Sequence, residues 1–73
     1  MRNLKTLLHD IGVALYGIAW EAELARRYGT DTRTVRAWYT GHKPIPDHLW
    51  TQLRDEIRRR KLDLDELLNR FPQ

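Results

Sequence analysis

Apolar residues along the chain recur at intervals of three and four, the spacing that places side chains on one face of a helix. Leu4, Leu7, Leu8, Ile11 and Leu15 predict a first helix with a buried stripe. Asn3 is its expected N-cap, and Tyr16-Gly17 its expected end. Gly12 weakens this helix slightly and allows close packing. Ile18 and Trp20 open a second helix, with Trp20 covering one edge of the core; a tryptophan docking surface is the alternative. Leu24 and Tyr28 continue the stripe. Gly29 then stands where a chain leaving a helix needs a positive φ, and Asp31 can cap a third helix. Val35, Trp38 and Tyr39 face inward from it, and Gly41 stops it.

His42-Lys43-Pro44-Ile45-Pro46 predicts a loop, because its two prolines fix φ and remove donors. Pro46 and Asp47 suit the start of a fourth helix. Its inner stripe is Leu49, Trp50, Leu53 and Ile57. Beyond the basic run Arg58-Arg59-Arg60-Lys61, apolar spacing resumes at Leu62, Leu64, Leu67, Leu68 and Phe71. One long helix keeps Ile57 and Leu64 in register. A break near Lys61 to Asp63, with Asp63 and Glu66 forming a capping-box-like pair, is the preferred expectation. The pattern predicts an all-α fold, a compact four- to five-helix domain spanning residues 1–73. Its central motif covers about 20–41, and a C-terminal helical segment covers about 62–71.

A length of 73 residues allows one small domain with a modest core. The absence of cysteine excludes disulfides and thiolate metal sites. His9, His42 and His48 fall on different elements with no metal-site spacing, so no metal and no cofactor are expected. No small-molecule ligand is evident. No apolar run approaches the roughly 20 residues that span a bilayer, and the charged start Met1-Arg2-Asn3-Leu4-Lys5 leads into no secretory stretch. A cytoplasmic location is the expectation. No glycine-rich phosphate loop and no nucleophile with a base and an orienter can be found, so catalysis is not expected.

Charge changes the picture more. The net charge is +3, yet between residues 26 and 43 five basic side chains (Arg26, Arg27, Arg33, Arg36, Lys43) meet only one acid, Asp31. That concentration favours a polyanionic partner. On the outer face of the third helix, Thr32, Arg33, Arg36, Ala37 and Thr40 fall together. Arginine can fork onto guanine, threonine can donate or accept, and a methyl can touch thymine. Arg33 and Arg36 are therefore the leading base readers, assisted by Thr32 and Ala37. Thr34, Thr40 and Lys43 are the candidate phosphate contacts. A solvated basic helix packed on a core is the plain alternative.

The stretch from Glu21 to Gly41 resembles the helix-turn-helix of the phage-repressor superfamily, which includes the lambda and Cro-type repressors. The resemblance runs from Leu15 to about Leu53. It rests on Tyr16-Gly17, Trp20, Leu24-Ala25-Arg26, Arg33-Thr34-Val35-Arg36, Trp38 and Pro44-Ile45-Pro46. These are similar to features of a group of small bacterial and phage regulators that includes some anti-CRISPR-associated regulators. Two positions depart from the pattern. Thr30 stands where the family usually buries an aliphatic residue, and Glu21 stands near a usual phosphate-contacting polar residue.

The resemblance implies sequence-specific binding of double-stranded DNA by a transcriptional regulator. Repression of a promoter by a homodimer on an inverted repeat is the expectation. Leu64, Leu67, Leu68 and Phe71 are the candidate dimer interface, since they exceed what a short core needs. Folding of these residues back onto the first helix is the other possibility. The rival function is a protein-interaction module, an antitoxin or inhibitor that docks through Trp20, Trp50 and the leucine-rich tail. Nonspecific nucleic-acid packaging is disfavoured because acids are mixed among few bases.

Overall fold

The computed structural model describes residues 3–72. Met1, Arg2 and Gln73 lie outside the described residues. The fold is all-α, with no strand among the described residues. It comprises α1 (Leu4–Tyr16), a single 3-10 turn (Gly17–Ala19), α2 (Trp20–Arg27), α3 (Thr32–Thr40) and α4 (Asp47–Asn69). No described helix is long and apolar enough to cross a membrane.

Local chemistry accounts for the helix starts. Asn3 Oδ1 accepts the Thr6 N–H at 3.1 Å at the head of α1, and Asp31 Oδ1 accepts the Thr34 N–H at 2.8 Å at the head of α3. Each satisfies a donor that has no partner within the helix. Pro46, in extended conformation, precedes α4.

The core is small. Leu8, Leu24, Val35, Leu49 and Leu53 are fully buried, with Trp20, Ala25 and Trp38 nearly so. Ile11, Leu15, Tyr16, Tyr28, Tyr39, Ile45 and Trp50 pack around them. The expected stripe of α1 is thus corrected: Leu8 alone of its five residues is buried, Ile11 and Leu15 are half-buried, and Leu4 and Leu7 are exposed. The reason is one of supply. A helix with apolar residues on consecutive positions carries a wider stripe than a single three-helix junction can cover, and α4 meets α1 along only part of its length.

Trp20 does more than edge the core. It is 5% exposed, and its indole lies directly over Gly12, where an added Cβ would overlap Trp20 Cε3 and Cδ2. Its ring also meets His9 edge-on at 5.6 Å and Tyr39 at 5.3 Å between centroids. Ile18, expected to help open α2, is fully exposed on the 3-10 turn.

The expected break near Lys61 to Asp63 is absent, and no separate fifth α-helix is formed among the described residues. One helix runs from Asp47 to Asn69. That stretch holds neither glycine nor proline, and arginine, lysine, leucine and glutamate are all good helix formers. Only its first half is anchored. Leu49 and Leu53 enter the core, whereas every residue from Ile57 to Pro72 is exposed. The projecting half makes the molecule elongated, 50 × 28 × 20 Å, and not compact throughout.

A polar latch holds α4 where it leaves the core. The Tyr16 hydroxyl donates to the Glu56 carboxylate at 2.8 Å. The Arg27 guanidinium stacks over the Tyr16 ring at 4.9 Å and lies 3.8 Å from Glu56. Burial, followed by the Glu56 carboxylate, pushes the Tyr16 phenol well above its ordinary value, so it stays a donor. One turn further on, Arg60 donates to the Leu15 carbonyl at 3.0 Å, satisfying an acceptor left free at the end of α1.

Candidate nucleic-acid interface

The turn between α2 and α3 is built from Tyr28 to Asp31. The Tyr28 N–H donates to the Leu24 carbonyl at 3.1 Å and the Thr30 N–H to the Ala25 carbonyl at 2.9 Å, closing the end of α2. Gly29 between them has φ +67°, a conformation costly for a residue with a side chain. Thr30 is half-buried.

The inner face of α3 is pinned by Val35 and Trp38, 0% and 8% exposed. Thr32, Arg33, Arg36 and Thr40 are exposed, and Thr34 and Ala37 are half-buried. The candidate readers therefore share one side of the helix, with Ala37 set lowest among them. Beyond α3, Gly41 is left-handed at φ +90°, and the Lys43 N–H returns to the Ala37 carbonyl at 3.1 Å. This bond fixes the start of the loop and holds the exposed Lys43 close to the end of α3.

Two phosphate candidates are partly committed already. The Thr34 N–H is bound by Asp31, whose carboxyl that bond, with the Thr34 hydroxyl, holds below its ordinary value. The Thr40 hydroxyl donates to the Arg36 carbonyl at 2.8 Å and lies 2.9 Å from His42 Nδ1. A phosphate contact from Thr40 has to displace the first of these bonds.

Local charge is more divided than residues 26–43 suggest. Arg26 and Arg27 lie 2.8 and 3.2 Å from Glu23 on the same helix. Arg33 and Lys43 enter no ion pair among the described residues. The fold adds a base that sequence spacing did not associate with the motif. Lys5 of α1 lies beside Gly41, so its ammonium joins Lys43 near the end of α3. Nothing in the local sequence of Lys5 signals this, because the packing of α1 across α3 creates the neighbourhood.

Arg36 has a partner that sequence spacing also missed. Its guanidinium lies 3.5 Å from Glu21 Oε1, across the α2–α3 junction. The Arg36 side chain is 64% exposed and that of Glu21 24%. Glu21 Oε2 is buried with no hydrogen-bond partner among the described residues. Tyr39 and then Arg36 nevertheless hold the Glu21 carboxyl below its ordinary value, against the opposing effect of burial. The same carboxylate raises Arg36 and Tyr39. Glu21 thus orients one of the two leading candidate readers and offsets its charge.

The remaining candidates, Leu64, Leu67 and Leu68 on the projecting half of α4 and Phe71 just past its end, are 57%, 48%, 66% and 66% exposed. They do not fold back to fill the core. His9, His42 and His48 do not converge, and among the described residues no group of three or more metal-ligating side chains is assembled. Comparison of the chain with protein-family models, with curated proteins and with solved structures gives no match.

Proposed function

We propose that this protein is a small helix-turn-helix transcriptional regulator that binds double-stranded DNA sequence-specifically, and that it represses by occupying an inverted repeat as a homodimer. The observation that carries the reading is the two-faced construction of α3. Val35 and Trp38 fasten one side to the core, while Thr32, Arg33 and Arg36 are exposed on the other. A helix held in this way after a tight glycine turn can enter a major groove, with its N-terminal half at the base edges. Arg33 and Arg36 read bases, with Thr32 and Ala37 beside them. Lys43, Thr34 and Thr40 engage the backbone, and Lys5 adds a further positive charge to that flank.

The test begins with selection of bound sites from random duplex DNA, followed by affinities over a range of salt concentrations. Arg33→Ala and Arg36→Ala should each cost about 1–3 kcal/mol at the selected site and relax one or two base positions. Lys43→Ala should weaken all duplexes evenly and make the salt slope shallower by about one. Absence of any enriched sequence, or a preference untouched by both arginine replacements, refutes the reading.

A second reading, a protein-interaction module on the same scaffold, is favoured by one observation: the apolar side chains left exposed on α1 and α4. Trp20, once its candidate anchor, is buried and cannot serve.

A further inference from the structure

An open apolar channel runs between α1 and α4. One reach, of about 650 Å³, is lined by Leu4, Leu7, Ile11, Trp50 and Ile57 with Arg54 and Arg58 at its edge. The next, of about 510 Å³, continues past Ile11, Leu15 and Ile57 to Lys61, Leu64 and Asp65. Among the described residues the tail does not cover this channel. From Ile57 the helix runs unbroken to Asn69, about 18 Å further on at 1.5 Å per residue, and Phe71 lies past its end.

The helix has the pattern of a surface made to meet its own copy. Ile57, Lys61, Leu64 and Leu68 follow one another along it at spacings of four, three and four, the seam of a helix pair, and Phe71 stands just past its end. Charge along it changes sign midway: Arg58 to Lys61 are basic, and Asp63, Asp65 and Glu66 are acidic. A parallel pair sets like charge against like. An antiparallel pair sets the basic half of each helix on the acidic half of the other.

We infer that two copies of the chain join through α4 as an antiparallel pair, its two-fold axis lying between Leu62 and Asp63, with the tail of each helix lying in the α1–α4 channel of the other. In this register Ile57 meets the partner's Leu68, and Lys61 meets the partner's Leu64. On the flank Arg58 faces the partner's Asp65. Sliding the pair by one heptad in either direction stacks Arg58 on its own copy or Asp65 on its own copy, so charge selects this register from its neighbours. Leu68 and Phe71 then enter the reach lined by Leu7, Ile11, Trp50 and Ile57, whose apolar walls otherwise stay wet. This deepens the homodimer named above and rests on that reading for the use of pairing in DNA recognition.

Sedimentation of the full chain from micromolar to millimolar concentration tests the pairing. The wild type should dimerise, and Leu68→Asp should be a folded monomer by circular dichroism, since Leu68 supports nothing in its own core. Arg58→Asp and Asp65→Arg should each weaken association about tenfold or more, and the double exchange should restore it. Residues seven apart on one helix lie beyond the reach of intrahelical pairs, so restoration reports contact between chains. A monomeric wild type, an indifferent Leu68→Asp or a double exchange no better than the single changes overturns the inference. Binding of half-site and full-site duplexes separates the two readings. DNA binding by a monomeric wild type defeats the pairing alone; a dimer with this substitution pattern that binds no duplex defeats the DNA reading alone.

Discussion

Replacement of Gly12 by alanine tests whether a close contact at one position sets the angle of α2. The new methyl would collide with Cε3, Cδ2 and Cγ of Trp20. The indole has little room to retreat: it is 5% exposed and is flanked by the rings of His9 and Tyr39. Forced insertion of a methyl into a packed site costs about 1–3 kcal/mol, and this overlap belongs at the upper end. Against it, alanine in a helix interior gains about 1 kcal/mol over glycine. The net loss is about 2 kcal/mol, or a fall in melting temperature of about 8–16 °C for a domain of this size. Thermal unfolding by circular dichroism reads the change directly. Val13→Ala, at the exposed neighbouring position, should stay within about 0.5 kcal/mol of the parent. Should Gly12→Ala melt at or above the wild type, Trp20 yields freely, and the tight approach of α1 and α2 is not what positions the motif.

Three further outcomes are expected. Trp38→Ala should cost about 3–5 kcal/mol, enough to unfold so small a domain; a variant that melts like the wild type would remove Trp38 from its role in holding α3. The Glu21 carboxyl is depressed in the folded state, so its contribution is complete above the ordinary value of 4.5 and is lost as pH falls through the lowered one. Glu21→Gln should therefore flatten the acid limb of stability against pH, and an unchanged limb would show that the carboxylate gains nothing from Tyr39 and Arg36. The same substitution frees Arg36 and removes a negative charge from the proposed DNA face, so duplex affinity at low salt should rise; a fall would mean that Glu21 serves chiefly to aim Arg36.

The elements most legible in the sequence were those governed by local chemistry. Asn3 and Asp31 announce helix starts because a cap acts over three residues, and Gly29 and Gly41 announce turns because their conformations are local requirements. The inward positions of α3, Val35 and Trp38, follow from helical spacing alone. What spacing could not decide was which apolar residues find a partner. Leu4, Leu7 and Leu64 have the same pattern as Leu8 and Leu49, and differ only in how far α4 overlaps α1. The uninterrupted α4 was hidden because Asp63 and Glu66 suit a helix start as well as a helix surface. The Arg36–Glu21 pair and the approach of Lys5 to Gly41 depend on how helices cross, which periodicity does not encode.

The uneven anchoring of α4 divides one helix into two regimes of amide protection. Amides near Leu49 and Leu53 sit over buried side chains and should exchange only when the whole domain opens. Those past Leu64 belong to a short helical end with no tertiary support, and isolated helices of that length are marginal in water. They should exchange through fraying at far lower free energy. Hydrogen exchange along this single rod should therefore fall in steps, and the distal step alone should slow as protein concentration rises.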